Sequence, residues 1–164
     1  MIRVGQGYDV HAFGAARPLV LGGVEIPCRR GGLAGHSDAD VLSHALASAL
    51  LGALGLGDLG QHFPDTDPRW AGASSLELLR LVRAQVGGLG YGVVNCDATI
   101  VAQEPRLAPF VPRMRDALAH VLEVEPDRIS VKATTAEGLG SLGRAEGIAV
   151  HAVVLLQRED GPAA

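Results

Sequence analysis

Two short polar stretches hold the residue types that could do chemistry in this chain. The first is Asp9-Val-His11, which follows a strand-like segment at residues 2–4. The second is His36-Ser-Asp-Ala-Asp, with His44 one helical turn beyond it. Residues two apart in a strand point to one face, so Asp9 and His11 can aim together at His44. Two histidines and a carboxylate suit zinc and leave a fourth position open, although Asp-x-His pairs also occur by chance on protein surfaces.

The helix that carries His44 is predicted over residues 40–54. It is apolar on nearly all sides, so we expect it to be buried by the sheet and, where surface is left over, by other subunits. Ser37 resembles the first residue of a capping box and is expected to bond the first-turn N–H groups. A helix start with free N–H groups also binds anions, which makes His36 and Ser37 candidates for holding a phosphate.

A second candidate site follows a predicted strand at residues 129–133. Thr134-Thr135-x-Glu137 offers two hydroxyls for phosphate oxygens and a hard carboxylate ligand for Mg²⁺ or Mn²⁺. The same residues could equally form a capping box for a short turn. Asp58 has a similar pair of interpretations, because it either accepts hydrogen bonds from ribose hydroxyls or stabilises its own glycine turn.

Hydrophobic periodicity predicts an α+β fold, in which a mixed β-sheet carries helices packed on one face and a small N-terminal hairpin. We expect one domain over residues 1–158 and a short polar tail at residues 159–164. Strands are predicted at residues 2–4, 19–21, 24–26, 93–101, 129–133 and 148–156, and helices at residues 40–54, 75–86 and 110–122.

Composition excludes several classes of function. The net charge is −4 and aromatic residues are 4%, so neither a basic field nor a base-stacking surface favours a nucleic-acid partner. Two G-x-G-x-x-G matches lack the strand before and helix after that a dinucleotide-binding motif needs. Cys28 and Cys96 have no metal-binding spacing and are expected to be reduced thiols. Without a signal peptide or membrane segment, we expect a cytoplasmic protein with no membrane partner.

Seven motifs together resemble those of the 2-C-methyl-D-erythritol 2,4-cyclodiphosphate synthase family of the non-mevalonate isoprenoid pathway. They occur in order over nearly the whole chain. They are Asp9-Val-His11, His36-Ser-Asp-Ala-Asp with His44, Asp58-Leu-Gly60, Phe63-Pro-Asp-Thr-Asp67, Ala102-Gln-x-Pro105, Lys132-Ala-Thr-Thr-x-Glu137 and Gly143-Arg-x-Glu-Gly147.

The resemblance implies a role for each matching residue. Zinc would be bound by Asp9, His11 and His44, and Mg²⁺ or Mn²⁺ by Glu137, while His36 and Thr135 would stabilise the transition state. The residues that would contact substrate comprise the diphosphate-binding His36 and Ser37, the ribose-binding Asp58 and Gly60, the erythritol-binding Phe63, Pro64, Asp65 and Asp67, the cytosine pocket of Ala102, Pro105, Arg106, Leu107, Ala108, Ala133 and Thr134, the phosphate-facing Thr135 and Glu137, and also Asp9, His11 and Arg144.

The resemblance also implies a reaction and an assembly. The 2-phosphate of 4-diphosphocytidyl-2-C-methyl-D-erythritol 2-phosphate would attack its own β-phosphorus and release CMP. The protein would be a homotrimer with its sheets around the axis. One subunit would offer Asp9, His11, His44 and Asp58, and its neighbour the Arg106 loop and the Thr134–Glu137 segment. Two alternatives are a zinc-dependent hydrolase of nucleotide diphosphates and a non-catalytic, zinc-stabilised nucleotide-binding protein.

Overall fold

The structure, a computed structural model, describes residues 1–159, so most of the predicted polar tail at residues 159–164 lies outside the described residues. The strands are β1 (Ile2–Ala15), β2 (Leu19–Leu21), β3 (Val24–Ile26), β4 (Gly32–Leu33), β5 (Tyr91–Val101), β6 (Ile129–Thr134) and β7 (Gly147–Arg158). The helices are α1 (Val41–Ala53), α2 (Leu59–His62), α3 (Ser75–Gly88), α4 (Val111–Leu122) and α5 (Gly140–Gly143), with 3₁₀ turns at Pro68–Trp70, Ala108–Phe110 and Pro126–Arg128.

Five strands form one mixed sheet in the order β4-β1-β7-β5-β6. Strands β5 and β6 are parallel, whereas β1 pairs antiparallel with both β4 and β7, and β5 pairs antiparallel with β7. The hairpin of β2 and β3 is separate from this sheet. The predicted α+β class, the mixed sheet and the small hairpin are therefore confirmed. No helix within residues 1–159 has the length and hydropathy needed to cross a membrane.

Strand β1 is far longer than the segment predicted at residues 2–4. Its core-facing positions include Gly5 and Gly7, which carry no side chain and so give no apolar signal in the sequence. Helix α1 lies directly on them: a Cβ on Gly5 would be 1.9 Å from the Ala49 carbonyl oxygen, and one on Gly7 would be 1.9 Å from the Ala45 carbonyl oxygen. The strand continues because the helix backbone covers it where side chains normally would.

Helix α1 is buried by its own chain, so the expectation that other subunits would help to cover it is wrong. Leu42, Leu46 and Leu50 are all inaccessible or nearly so in the single chain. The helix packs on β1 and β7 and against α3. The exposed apolar surface lies instead on the opposite face of the sheet, where the outward positions of β1 and β7 are occupied by Ile2, Val4, Tyr8, Val10 and Val153.

Candidate active site

Asp9, His11 and His44 converge on one point, as the sequence predicted. The Asp9 Oδ2 atom lies 3.0 Å from His11 Nε2 and 3.1 Å from His44 Nδ1. One ligand atom from each residue falls within a group no wider than 4.8 Å. Strand β1 supplies the first two residues on its core face, and the first turns of α1 place His44 above them. This is the arrangement of three protein ligands that a catalytic zinc site uses.

The electrostatics of the triad keep the carboxylate ionised. Burial raises the pKa of Asp9, but hydrogen bonds from His11 and His44 outweigh it and hold that pKa well below its ordinary value of 3.8. The same hydrogen bond to Asp9 raises the pKa of His11 above 6.5, against the opposing effect of burial. A metal ion would therefore find Asp9 already charged, and because the raised pKa of His11 favours its protonated form, zinc would compete with that proton increasingly as pH falls.

Each histidine of the triad is also held through its second ring nitrogen. His11 Nδ1 lies 2.7 Å from the Ala34 carbonyl oxygen, so this nitrogen donates and leaves Nε2 facing Asp9. His44 Nε2 lies 2.9 Å from Ser75 Oγ and 3.1 Å from Ser37 Oγ. Such contacts orient the imidazoles of metal sites. The donor set, its spacing and these supporting contacts all fit zinc.

Asp40, not Ser37, caps helix α1, so the predicted capping role of Ser37 is wrong. The Asp40 side chain accepts from Leu42 N and Ser43 N, both at 3.1 Å. It also accepts from Gly22 N at 2.9 Å and Gly23 N at 2.8 Å, in a turn where both glycines have positive φ. Because the buried Asp40 carboxylate occupies the helix start, the N–H groups proposed to attract a phosphate there are already bonded.

His36 and Ser37 nevertheless border a pocket beside the triad. Its volume is about 180 Å³. Phe63 and Trp70 form one wall, with their rings edge to face at 5.0 Å. The lining residues are His11, His36, Ser37, His44, Leu59, Gly60, Phe63, Asp65, Trp70 and Leu78. We call this space the triad pocket.

Besides Asp9 of the triad, three residues predicted near this pocket lie outside its lining. Asp58 caps α2, because its carboxylate accepts from Gln61 N at 3.0 Å and from the Gln61 side chain at 2.8 Å. Asp67 caps the 3₁₀ turn at Pro68–Trp70 and pairs with Arg69. Pro64 is likewise absent from the lining. The turn-stabilising interpretation of Asp58 therefore holds in this structure, and its ribose contact stays a prediction.

A second pocket, of about 340 Å³, gathers the residues assigned to cytosine. The loop after β5 and the end of β6 form it together, and we call it the base pocket. Its lining residues are Ala102, Gln103, Pro105, Arg106, Leu107, Ala108, Ala133, Thr134 and Thr135. Gln103, which belongs to the motif Ala102-Gln-x-Pro105, is among them.

Glu137 and Arg144 lie near the base pocket in sequence but not in its lining. Thr135 Oγ1 donates to Glu137 Oε1 at 2.8 Å and accepts from Glu137 N at 3.3 Å, which is the turn-capping arrangement. Both side chains are exposed, so the capping bond leaves them accessible to a ligand. Arg144 donates from Nε to Glu146 Oε1 at 2.6 Å. Its predicted substrate contact also stays a prediction.

The two pockets share no lining residue and lie on different strands. His11 of β1 pairs with Ile148 of β7. The adjacent Ala149 pairs with Val101 of β5, which in turn pairs with Thr134 of β6. The triad and Thr134 are thus at the same level of the sheet but three strand spacings apart, or roughly 14 Å.

Sequence reasoning missed two residues that organise the triad side. The Arg17 guanidinium donates to the backbone carbonyls of Leu33, Gly35 and Ser37 and so holds the loop before α1. Ser75, at the start of α3, touches His44. Neither belongs to a polar motif, and each reaches the site from a distant segment, so the sequence carried no local signal for either.

Comparison with known proteins gives one consistent set of relatives. The sequence profile of the YgbB family matches residues 2–157. A protein of Geobacter metallireducens named 2-C-methyl-D-erythritol 2,4-cyclodiphosphate synthase is 62% identical over 157 residues, which cover 96% of this chain and 99% of that protein.

Solved structures agree with these sequence matches. The bifunctional IspDF of Campylobacter jejuni superposes with a TM-score of 0.93 at 47% identity, over 98% of this chain and 43% of that one. A complex of Plasmodium falciparum IspF with CDP superposes with a TM-score of 0.84 at 33% identity, over 97% of each chain.

Proposed function

The chain belongs to the YgbB family, and from this membership we infer that it has the cyclodiphosphate synthase activity for which its relatives are named. It cyclises 4-diphosphocytidyl-2-C-methyl-D-erythritol 2-phosphate to 2-C-methyl-D-erythritol 2,4-cyclodiphosphate and releases CMP, a step of isoprenoid biosynthesis. The observation that carries this function to the site is the convergence of Asp9, His11 and His44 beside a pocket that contains His36.

The side chains fit a reaction that needs no protein nucleophile. The attacking group is a phosphate, which is already ionised at neutral pH, so neither an activated Ser or Cys nor a strong base is required. What the protein must supply is orientation of a flexible substrate and neutralisation of charge on the phosphates. Orientation alone can lower the barrier by several kcal/mol. We assign the charge-stabilising contacts to His36 in the triad pocket and Thr135 in the base pocket.

The two pockets divide the substrate between them. The base pocket, with an apolar floor of Ala102 and Leu107 and an exposed Arg106, suits a cytosine ring and its neighbouring phosphate. Support comes from the bound CDP of the Plasmodium falciparum structure, a cytidine diphosphate ligand. The triad pocket, with Phe63 and Trp70 on one side and Asp65 at its edge, suits the branched, hydroxylated erythritol part.

Two metal ions complete the proposal. Zinc held by Asp9, His11 and His44, and Mg²⁺ or Mn²⁺ held by Glu137 together with substrate phosphates, would polarise the reacting phosphorus and neutralise the departing CMP. Their ligands differ in the way that the two metals require. The zinc donors are preassembled with imidazole nitrogens, whereas Glu137 is a single exposed carboxylate of the kind that binds Mg²⁺ with water and phosphate.

We also propose a homotrimer with active sites between subunits. The adjacent phosphates that zinc and Thr135 are proposed to contact share an oxygen, whereas Thr134, the chain neighbour of Thr135, lies roughly 14 Å from the triad within one chain. Pairing the triad of one subunit with the base pocket of its neighbour removes this separation. The exposed apolar face of the sheet, where Val4 is 64% and Val10 47% exposed, is available to bury against other sheets around an axis.

The free cysteines of the chain support a cytoplasmic setting. We propose a single domain over residues 1–158 that acts in the cytoplasm. Cys28 and Cys96 are both free thiols, and Cys96 is buried, as suits a reducing compartment.

The reaction is tested directly by phosphorus NMR of substrate incubated with protein, zinc and Mg²⁺. We expect the signals of a cyclic diphosphate to appear together with CMP. CMP with a linear phosphorylated product would show the hydrolase instead. Tight cytidine diphosphate binding without any turnover would favour the non-catalytic binding protein. His36→Ala provides the matched control, because it removes one charge-stabilising side chain and leaves the triad ligands in place.

The shared site is tested by mixing inactive variants. His44→Ala damages the triad half and Thr135→Ala the base-pocket half, so co-assembled trimers regain some intact sites. Random mixing at equal amounts restores about one quarter of the sites, because each needs the correct variant at two neighbouring positions. His44→Ala mixed with His11→Ala is the control, since both damage the same half. Mixed trimers no more active than this control would place the whole site within one chain.

A further inference from the structure

A chain of hydrogen bonds runs from Asp38 through Ser75 to His44. The Ser75 hydroxyl donates to Asp38 Oδ1, and Ser75 Oγ lies 2.9 Å from His44 Nε2. Ser75 is only 1% exposed. We propose that Ser75, held by Asp38, is a positioning residue that fixes the tautomer and ring orientation of His44 for metal binding. This inference rests on the zinc site of the proposed function.

The single hydrogen of the Ser75 hydroxyl decides which nitrogen of His44 is protonated. A carboxylate is only an acceptor, so the hydrogen between Ser75 and Asp38 comes from the serine. Ser75 Oγ then has no hydrogen left and can only accept from His44. Nε2 of His44 therefore carries a proton, and in the metal-bound protein the lone pair used for the metal falls on Nδ1. That nitrogen is the one that faces Asp9, at 3.1 Å.

Asp38 also fixes where the serine hydroxyl lies. Its carboxylate oxygens accept from the Ser75 backbone N–H at 3.1 and 3.2 Å, so Asp38 caps helix α3 from a distant segment. The helix has no other side-chain cap, because Ser74 at its N-cap position makes no such bond. Backbone and hydroxyl of Ser75 are thus held by one carboxylate, which leaves the hydroxyl oxygen little freedom.

Ser37 is the second oxygen near His44, and its geometry makes it the weaker partner. Its Oγ lies 3.1 Å from Nε2, farther than that of Ser75, and accepts from the Ala39 backbone N–H at 3.2 Å. Ser37 also lines the triad pocket, where the diphosphate is proposed to bind. The orienting role is therefore assigned to Ser75.

The two histidines present opposite nitrogens to the metal position. His11 offers Nε2 because its Nδ1 donates to the Ala34 carbonyl oxygen, whereas His44 offers Nδ1 because its Nε2 donates to Ser75. Partners of this kind typically change metal affinity 10- to 100-fold when they are removed. Loss of the Ser75 hydroxyl would allow His44 to rotate or to adopt the other tautomer.

The test compares Ser75→Ala with Ser74→Ala, a matched control one residue earlier on the same helix start. Zinc affinity is measured by competition with a chromophoric chelator at fixed pH, and the visible spectrum is recorded after Co²⁺ substitution. We expect Ser75→Ala to bind zinc about 10- to 100-fold more weakly, with an altered Co²⁺ spectrum. The metal-free variant should stay folded, because Asp38 still accepts from the backbone N–H at the substituted position, but its thermal midpoint should fall because two buried hydrogen bonds are lost. Ser74→Ala should match the unmodified protein throughout.

Ser75→Ala that binds zinc as tightly as the unmodified protein would overturn the inference and leave the proposed zinc site standing. A second measurement needs no variant at Ser75. In zinc-loaded protein labelled with ¹⁵N-histidine, the His44 signal, identified by its loss in His44→Ala, should show a proton on Nε2. A proton on Nδ1 would overturn the inference, and an unmodified protein that binds no zinc would overturn both it and the proposed site.

Discussion

The close approach of helix α1 to strand β1 brings His44 within reach of Asp9, and Gly7 is the residue that permits this approach. A Cβ built on Gly7 would lie 1.9 Å from the Ala45 carbonyl oxygen, next to His44 in the chain. Real Cβ contacts essentially never fall below 3.0 Å, so Gly7→Ala must move the helix and strand apart by about 1.1 Å. The obstructing atom belongs to the backbone and cannot rotate away.

This displacement should cost both stability and metal affinity. Overpacking of a well-packed core typically costs 1–3 kcal/mol, and a rigid backbone obstacle places Gly7→Ala at about 3 kcal/mol. The Asp9–His44 contact, now 3.1 Å, would stretch by a similar 1 Å. Metal–ligand distances tolerate only about 0.2 Å, so the molecules that still fold should bind zinc far more weakly.

Urea unfolding of the metal-free protein at one protein concentration, together with zinc competition, measures both effects. Gly52→Ala is the matched control, because its nearest atom, the Gln6 carbonyl oxygen, would lie 3.7 Å from the new Cβ. It should gain about 0.5–1 kcal/mol from helix propensity. Gly5→Ala meets the Ala49 oxygen at 1.9 Å but lies farther from Asp9, so it should lose stability with less effect on zinc. Gly7→Ala within about 0.5 kcal/mol of the unmodified protein would refute the reasoning.

Three further predictions concern the metals and pH. His11→Ala should lose zinc and activity yet keep its circular dichroism spectrum, because His11 contributes a ligand and little core area; full zinc occupancy in the purified variant would contradict the assignment. Glu137→Gln should keep zinc but need more Mg²⁺ for turnover, since an amide is a poorer ligand than a carboxylate; an unchanged magnesium titration would exclude Glu137. In metal-free protein, the raised pKa of His11 stabilises the fold below about pH 6.5, and this contribution disappears as pH rises through the folded-state pKa. The lowered pKa of Asp9 stabilises the fold above about pH 3.8. Urea unfolding across pH 4–8 should therefore show the largest difference between the unmodified protein and His11→Ala at pH 4–6.5, and a difference that grows towards pH 8 would reverse the sign.

Local patterns in the sequence were enough for most elements of the fold. The apolar run after Asp40 predicted α1, and β-branched runs predicted the inner strands, because these patterns reflect burial along one element. Strand β1 was underestimated, since Gly5 and Gly7 give no hydrophobic signal. Their place in a strand follows only from the close approach of α1, which is a contact between segments about 40 residues apart.

The triad was also within reach of the sequence, because the strand period joins Asp9 to His11 and helical spacing places His44 at a fixed height. The roles of Asp38 and Asp40, which belong to the same motif as His44, could not be predicted from the sequence. Asp40 bonds the hairpin turn and Asp38 bonds helix α3, and both connections depend on how distant segments pack.

Only the tertiary structure decided which apolar surface stays exposed on the single chain. The sequence suggested α1, because its composition is apolar all round, but one chain already covers it with sheet and helix. The outward residues of β1 alternate with glycines and with metal ligands, so the sequence of this strand does not look strongly apolar. Packing brings Val4, Tyr8 and Val10 together with Val153 of the neighbouring β7 into one exposed face. The hydrophobic period of a strand indicates which of its residues face the core. The register between two strands decides which of their outward residues become neighbours.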